Sequence, residues 1–320
     1  MSLSIRKSGA LIAGSLVAAL TLSACGGSAD PLASSSAAPS SSAAASSGAS
    51  GAAGAGSVII GSADFPESAL VANIYAAALT AKGVTATTNL NIGSREVYLP
   101  ALQDGSIDLI PEYTGVLLQY FDKEATATSS EDVYSALETA LPDTLQVLEA
   151  SDAEDKDAVV VTQETATQYN LKSIADLKAV AGELILGGPS EWETRPTGVP
   201  GLEAKYGVVF KEFKALDAGG PLTLNALTSG QVQAGNLFTT DPAITANNLV
   251  VLEDPENLFA AQNILPLITK SKVTPEITEA LNAVSAKLTT QDLIDMLTKI
   301  TVDKADSADV AQEWLTAAGI

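Results

Sequence analysis

Ser57-Val-Ile-Ile-Gly61 is a short apolar run that ends in glycine, and a longer helical pattern follows it at 67–82. A short, continuously apolar run is typical of a buried strand in a parallel sheet. In the segment that follows, Leu70 and Ile74 recur at the four-residue spacing of one helix face, and Gly83 is suited to end the helix. These residues therefore predict a strand followed by a helix that packs on the sheet.

The alternation of strand and helix patterns continues through the rest of the chain. Strands are predicted at 57–61, 84–92, 107–110, 144–149, 158–162, 183–186, 208–215, 231–237, 249–252 and 264–269, and helices at 67–82, 95–103, 130–140, 174–180, 199–206, 221–229 and from 275 onward. This order predicts an α/β fold with mostly parallel sheets. Ligands of such sheets bind beside the loops that leave the carboxyl ends of strands. The segments that follow strands are therefore the most informative about function, namely 62–68, 111–115, 151–158, 187–201 and 239–243.

The first residues have the features of a bacterial lipoprotein signal. Arg6 and Lys7 form a positive region, and the apolar run at 9–22 is too short to span a bilayer as a helix. Small residues precede Cys25, the only cysteine in the sequence. We expect cleavage after residue 24 and attachment of a lipid to the Cys25 sulfur, because a lone cysteine forms no internal disulfide. The alternative is an ordinary secretory signal that contains a cysteine.

Residues 25–56 are predicted to be a disordered linker that carries the lipidated cysteine. They are almost entirely Ser, Ala and Gly. Such a segment buries too little apolar surface to offset its conformational entropy. A Gly/Ser-type coil of this length reaches roughly 30 Å. The folded region would then be held at the extracytoplasmic face of the cell membrane by its lipid anchor, yet remain able to reorient.

Composition restricts the class of function. The formal net charge is −21, and loss of two basic residues with the signal at 1–24 lowers it to −23. This charge argues against nucleic acid and anionic lipid head groups as partners. The sequence contains no histidine, which excludes His-dependent nucleophiles, His general bases and His-based zinc sites. A hydrolase would need a carboxylate pair or an activated serine, and no G-x-S-x-G motif is evident.

Several segments that follow strands match known motifs in a fixed order over nearly all of 58–315. They are Gly61-Ser-Ala-Asp-Phe-Pro-Glu67, Gly93-Ser-Arg95, Ala101-Leu-Gln-Asp-Gly-Ser-Ile-Asp108, Pro111-Glu-Tyr-Thr-Gly115, Gly188-Pro-Ser-Glu191, Phe238-Thr-Thr-Asp241 and Val250-Val-Leu-Glu-Asp254. Each motif alone is common, and their order makes the match specific. The chain resembles the substrate-binding proteins of osmoprotectant ABC importers, the glycine betaine/carnitine/choline-binding family.

The resemblance implies a two-lobed fold of the periplasmic-binding-protein type II-like class. The chain would cross from one lobe to the other and back, and the ligand would be enclosed between the lobes. The implied division is 57–157 plus 242–320 for lobe one and 158–241 for lobe two. Hinge closure then converts ligand binding into a shape that a permease can recognise.

The resemblance also implies a pocket in which tyrosine rings surround a quaternary ammonium, while basic or hydroxyl groups meet a ligand carboxylate. Tyr113 matches one ring position and Phe238 a second, whereas Asp157 and Gln262 occupy the other two. Arg195 matches a basic position. The remaining ligand-binding candidates adjoin these motif positions, and they are Ser62, Ala63, Phe65, Thr114, Thr239 and Asn263.

Departures from the family pattern leave the identity of the ligand open. Ala63 and Val116 stand where lysine and threonine are frequent, and two of the four rings are missing. Each ring is worth about 0.5–2 kcal/mol to a desolvated cation. Their loss could weaken betaine binding by roughly one to three orders of magnitude. Asp157 could act as a counter-ion instead. An amine with N–H donors, or a cation without a carboxylate, would suit such a pocket as well as betaine.

Each candidate also has a structural interpretation. Tyr113 and Phe238 could pack in the core, and Asp157 could belong to a solvated acidic run at 152–157. Arg195 could pair with the neighbouring acidic side chains Glu191 or Glu193 on the surface. Trp192, which follows the strand at 183–186, is a further candidate for the mouth of the cleft.

The leading functional prediction is a lipid-anchored receptor that delivers a small amine-type solute to an ABC permease. Its partners would be the solute, the transmembrane permease subunits and the membrane, and we expect a monomer. The prediction includes no catalytic residues, no cofactor and no metal. The alternative is a non-transporting ligand sensor or a surface interaction lipoprotein on the same fold.

Overall fold

A computed structural model describes residues 56–320, which belong to one compact unit. They form an α/β fold with two separate five-stranded sheets, which confirms the predicted fold class. The predicted signal at 1–24, the lipid site Cys25 and nearly all of the linker lie outside the described residues. Within 56–320, no helix is both long enough and apolar enough to cross a membrane.

The strands lie close to their predicted positions. In chain order they are β1 (Val58–Gly61), β2 (Ala86–Asn89), β3 (Leu109–Tyr113), β4 (Leu145–Val147), β5 (Asp157–Thr162), β6 (Ile185–Pro189), β7 (Glu212–Leu216), β8 (Ala234–Phe238), β9 (Leu249–Val251) and β10 (Ile264–Thr269). The strand predicted at 84–92 is shorter at both ends, and the one predicted at 208–215 begins later, at Glu212.

Helices occupy most of the segments between the strands. They are α1 (Pro66–Ala81), α2 (Arg95–Asp104), α3 (Thr114–Phe121), α4 (Ser130–Ala140), α5 (Gln163–Tyr169), α6 (Val199–Gly201), α7 (Pro221–Thr228), α8 (Pro242–Ala246), α9 (Pro275–Ser285), α10 (Thr290–Thr301) and α11 (Ser307–Ala318). The helix predicted at 174–180 is a 3₁₀ helix, Ile174–Ala179, and α6 continues as a π-helix over Leu202–Tyr206.

Capping side chains set the starts of several helices. Ser129 and Thr274 each accept a hydrogen bond from a backbone N–H of the first turn of α4 and α9. Thr289 and Asp292 form a reciprocal capping box at the start of α10. Such caps satisfy N–H groups that have no partner inside the helix. The helices then bury their apolar faces, and α9, α10 and α11 pack on α1 in the first hydrophobic core.

The first sheet has the strand order β2-β1-β3-β10-β4, and the second has β7-β6-β8-β5-β9. In the first, β1 runs parallel to β2 and β3, whereas β10 runs antiparallel to β3 and β4. In the second, β6 runs parallel to β7 and β8, whereas β5 runs antiparallel to β8 and β9. The prediction of mostly parallel sheets was therefore wrong, because half of the strand pairs are antiparallel.

The crossings between the lobes explain the antiparallel strands. Tyr113, at the end of β3, is paired with Ile264, at the start of β10. In the second sheet, Asp157 starts β5 opposite Phe238, which ends β8. A strand that enters its sheet from the opposite lobe begins at the edge where the other strands end, so it must run in the reverse direction. The starts of β10 and β5 therefore lie at the cleft, beside the ends of β3 and β8.

The chain returns to the first lobe later than predicted. The boundary at 242 assigns β9 to lobe one, but β9 pairs with β5 in the second sheet. Leu258 and Phe259 also pack in the core of the second lobe, whereas Ala260 belongs to a core of the first. The predicted boundary at 242 was wrong because the chain does not leave the second lobe after β8. It first forms the short helix α8 and then adds β9 to the edge of the second sheet. Residues 242–259 therefore pack with lobe two.

The two crossing segments lie side by side between the lobes. Glu154 and Asn263 form an isolated antiparallel bridge, and Asp155 N–H donates to the Gln262 carbonyl at 3.1 Å. Gln262 N–H in turn donates to Glu154 Oε1 at 3.1 Å. The segments that connect the lobes are thus bonded to one another, which positions Asp155 and Gln262 at the base of the cleft.

Candidate functional site

A cavity of about 90 Å³ lies between the two sheets and is lined by residues from both lobes. Seven of the predicted ligand-binding residues line it, and they are Ala63, Phe65, Tyr113, Asp157, Arg195, Phe238 and Gln262. Trp192, a candidate for the mouth of the cleft, also lines it, as do residues that the prediction did not place in the site, chiefly Arg95, Tyr98, Asp155 and Asn236. The cavity is therefore the candidate ligand site.

Three aromatic rings form one wall that continues across the cleft. Phe65, in the loop between β1 and α1, stacks on Phe238 of the second lobe with ring centroids 5.0 Å apart. Its other neighbour is Tyr113, at 6.0 Å. Aromatic faces attract cations and exclude water, so this wall is suited to an organic cation.

The other predicted residues lie next to the cavity and hold its frame together. Ser62 Oγ accepts from Asn91 N–H at 2.8 Å, which fixes the loop after β1. Thr114 Oγ1 donates to the Ala261 carbonyl at 3.0 Å and accepts from Asn263 N–H at 3.1 Å. Thr239 Oγ1 donates to Asp155 Oδ1 at 3.1 Å. Ser62, Thr114, Thr239 and Asn263 are thus not among the residues that line the cavity.

Arg195 reaches across the mouth of the cleft to the first lobe. Its Nε and Nη2 donate to the two carboxylate oxygens of Glu96 at 3.2 and 3.0 Å, and Glu191 lies 3.8 Å from Nη2. Burial alone would raise the pKa of Glu96, but hydrogen bonds from Arg195 and Ser94 lower it to about 2. Arg195 therefore both lines the cavity and links the lobes, while its charge is shared between two carboxylates.

Arg95 is buried beside the cavity in a second, fully internal ion pair. Its Nε and Nη2 donate to the Glu112 carboxylate at 2.9 and 2.8 Å, and Tyr98 Oη donates to the same carboxylate at 2.7 Å. Glu112 is 0% exposed. Although burial opposes its charge, the Glu112 carboxylate raises the pKa of Arg95. This pair supports α2 and β3, the elements that carry Tyr98 and Tyr113.

Two buried carboxyl groups lie below the aromatic wall. Glu67 accepts from Tyr113 Oη at 2.7 Å and from Thr240 Oγ1 at 2.6 Å. Asp155 accepts from Thr240 N–H at 3.1 Å. Burial raises the pKa of both groups, and the charge of Glu67 raises the pKa of Asp155 further. The pair therefore retains a proton to a higher pH than isolated carboxyl groups would.

Replacing Glu67 by the non-titrating glutamine should alter how the free energy of unfolding depends on pH. The pKa values of Glu67 and Asp155 are higher in the folded state than in the unfolded state. The contribution of the two groups to the free energy of unfolding is therefore complete below about pH 4 and is lost as pH rises through the raised values. In Glu67→Gln, we expect the free energy of unfolding to fall less steeply above pH 4 than in the native chain. Urea unfolding at several pH values measures this. Glu203→Gln, at an exposed site, is the control, and equal slopes for Glu67→Gln and the native chain would contradict the assignment.

Trp192 closes the second-lobe side of the cavity. It is 1% exposed, lies in the 3₁₀ turn Ser190–Glu193 after β6 and stacks on Phe259 at 6.1 Å. The loop after it requires glycine, because a Cβ on Gly198 would lie 1.9 Å from the Trp192 carbonyl oxygen. Trp192 was predicted only for the mouth of the cleft, whereas the structure places it in the wall.

Asp157 and Asn236 form a polar corner of the cavity. Asn236 Nδ2 donates to Asp157 Oδ1 at 2.8 Å. Burial raises the pKa of Asp157, and the hydrogen bond from Asn236 opposes this. The structure thus places Asp157 in the cavity wall, and within the acidic run at 152–157 Asp155 is buried as well, whereas Asp152 is exposed.

A simple signal could have found Asn236. It stands two residues before Phe238 in β8, so both side chains lie on the same face of the second sheet. Arg95 was visible as the last residue of the matched Gly93-Ser-Arg95 motif, and Glu112 lies in another matched motif. The ion pair between them joins residues 17 positions apart, and only the fold reveals it.

Comparison with known proteins identifies the architecture that holds this site. Residues 56–317 match the family described as the substrate binding domain of ABC-type glycine betaine transport systems. The chain belongs to this family. The match confirms the predicted resemblance and favours an importer component over a stand-alone sensor or a hydrolase.

Named relatives have similar lengths and the same class of function. The chain is 26% identical over 276 residues to the glycine betaine-binding protein YehZ of Escherichia coli (strain K12), covering 82% of this chain and 90% of that one. It is 25% identical over 266 residues to the carnitine transport binding protein OpuCC of Listeria monocytogenes, covering 81% and 86%. Both relatives are named as binding proteins, which agrees with the family match that makes this chain the substrate-binding component of an ABC transport system.

A solved structure shows the same two-lobed fold. A crystal structure described as a glycine betaine/carnitine/choline ABC transporter superposes with a TM-score of 0.65 at 23% identity. The superposition covers 82% of this chain and 98% of that one. At this identity the similarity establishes the fold alone.

Proposed function

We propose that this substrate-binding protein captures a small cationic or zwitterionic amine, of the quaternary-amine osmolyte type or related to it, between its two lobes. The observation that carries the proposal is the continuous wall of Tyr113, Phe65 and Phe238, which faces one cavity together with the carboxylate of Asp157. Rings and a carboxylate are the groups that stabilise an organic cation away from water.

Closure of the lobes would present the bound solute to the permease. The stacking of Phe65 on Phe238 and the ion pair between Arg195 and Glu96 both join one lobe to the other. A solute held between them makes contacts with both lobes only when the cleft is closed, so binding favours the closed form. The transmembrane subunits of the importer are the partners that would recognise the closed form.

The remaining parts of the proposal concern the location and assembly of the protein. We propose that a lipid on Cys25 anchors it at the extracytoplasmic face of the membrane, with the linker up to residue 56 as a tether. The lobes would comprise 57–157 plus 260–320 and 158–259. The protein would act as a monomer that performs no chemistry and requires no cofactor.

A thermal-shift screen tests the proposed ligand class. The purified protein would be melted with millimolar choline, glycine betaine, carnitine, proline betaine and polyamines. A ligand at 100 times its dissociation constant stabilises the folded state by about 2.7 kcal/mol. We therefore expect at least one of these amines to raise the melting temperature by roughly 5–10 °C. No shift with any of them would contradict the proposal.

A further inference from the structure

Three buried polar atoms on residues that line the cavity have no hydrogen-bond partner among residues 56–320. They are Trp192 Nε1, Asn236 Oδ1 and Gln262 Nε2. The three side chains are at most 1% exposed. A buried polar group without a partner is costly, so a ligand that pairs with these atoms removes a penalty that the empty arrangement carries.

Neighbouring contacts fix which atom of each side-chain amide remains unpaired. Asn236 uses Nδ2 to donate to Asp157 Oδ1 at 2.8 Å and to the Leu237 carbonyl at 3.3 Å, which leaves Oδ1 as an acceptor. Gln262 Oε1 accepts from Val116 N–H at 3.1 Å, which leaves Nε2 as a donor. Exchanging O and N in either amide would break these bonds. The chemical character of the unpaired atoms is therefore defined.

The charges around the cavity also indicate Asp157 and Asn236 as the place where a cation binds. Arg95 is paired with Glu112, and Arg195 with Glu96. In the described part of the chain, no lysine or arginine lies within ion-pair distance of Asp157. The Asp157 carboxylate thus has no ion-pair partner of its own, and the acceptor Asn236 Oδ1 lies on the side chain that is bonded to it.

We propose that the cationic nitrogen of the ligand carries at least one N–H, which Asp157 and Asn236 Oδ1 accept. The ligand class is thus a primary, secondary or tertiary ammonium with an oxygen acceptor, not a fully N-alkylated ammonium. The inference rests on the proposed function and specifies its ligand. A quaternary nitrogen has no hydrogen to donate, so it would leave Asn236 Oδ1 buried without a partner.

Two unpaired donors indicate that the ligand also carries an acceptor. Trp192 Nε1–H also lowers the pKa of Asp157, although it does not reach that carboxylate with hydrogen-bonding geometry. Gln262 Nε2–H is the second donor without an acceptor. A hydroxyl, carbonyl or carboxylate oxygen on the ligand supplies what both need. The complete ligand is therefore a compact amine that also carries an oxygen.

Matched pairs of amines that differ by one N-methyl group test the inference on the unmodified protein. Calorimetry at pH 7 would compare N,N-dimethylethanolamine with choline, and N,N-dimethylglycine with glycine betaine. A site that hydrogen-bonds an N–H strongly rejects an analogue without it. We expect the N–H member of at least one pair to bind ten or more times more tightly. Equal or tighter binding of the quaternary members would overturn the inference and leave the proposed function intact.

Two charge-removing variants locate the effect. In Asp157→Asn, we expect the preference for the N–H member to fall to twofold or less. Asp152→Asn, which removes an exposed carboxylate of the same acidic run that does not line the cavity, should retain the full preference. A preference that persists in Asp157→Asn would overturn the assignment to Asp157. If no amine of either pair binds the unmodified protein at millimolar concentration, the inference and the proposed function fail together.

Discussion

Glu112→Gln is expected to lower the free energy of unfolding by about 3–5 kcal/mol, the range for loss of one partner from a buried ion pair. Glu112 is 0% exposed and accepts two hydrogen bonds from the Arg95 guanidinium, one from Tyr98 Oη and one from Tyr113 N–H. The neutral amide would leave the Arg95 charge inside the protein without a counter-charge. Urea denaturation at pH 7 measures the difference.

The ion pair between Lys82 and Glu279 offers a matched control. Its atoms are 2.7 Å apart, similar to the buried pair, but the two side chains are 41% and 71% exposed. Exposed ion pairs contribute about 0–1 kcal/mol. Glu279→Gln should therefore change the free energy of unfolding by no more than about 1 kcal/mol. Similar losses in both variants would show that burial of the Arg95 pair does not govern stability.

Tyr113→Ala is expected to weaken ligand binding at least tenfold. The side chain lines the cavity, its ring lies 6.0 Å from that of Phe65, and its hydroxyl donates to Glu67. Alanine removes one aromatic face from the wall and exposes the ligand to water. Calorimetric titration with the amine that gives the largest thermal shift measures the loss, after circular dichroism has verified that the variant is folded.

Tyr113→Phe separates the ring from its hydroxyl. The ring remains in place, and only the hydrogen bond to Glu67 is lost. If the aromatic face supplies the binding energy, this variant should keep the affinity within about threefold, because the hydroxyl points to Glu67 and not to a ligand. Affinity that is unchanged in Tyr113→Ala, or lost equally in Tyr113→Phe, would contradict the proposed role of the ring.

The sequence predicted local structure well because apolar periodicity is a local property. The run at 57–61 and the helical spacing of Leu70 and Ile74 lie within one segment, and both elements are present. Strand direction is a different kind of property. Whether β10 runs parallel or antiparallel to β3 depends on where the chain crosses between the lobes. The residues of β10 themselves do not indicate where that crossing occurs. For the same reason the assignment of β9 to lobe one was wrong.

Only part of the cavity lining could be predicted, because it too depends on how the chain crosses between the lobes. Residues at strand ends, such as Tyr113 and Phe238, are brought to the cleft by the topology that the family resemblance implied. Thr114 and Asn263 occupy neighbouring positions, but their side chains bond to the crossing segments instead. Adjacency in sequence therefore indicated loops that border the cavity but could not decide which of their side chains face it. Asn236 lies in the body of β8 and outside the segments that follow strands, so the pattern did not indicate it.

The most direct test is a crystal structure of the protein with the amine that binds most tightly. We expect ligand density between the lobes, with the ligand nitrogen in contact with the Tyr113 ring and within hydrogen-bond distance of the Asp157 carboxylate. Density at any other place, with the space between Tyr113, Phe238 and Asp157 filled only by water, would contradict this expectation.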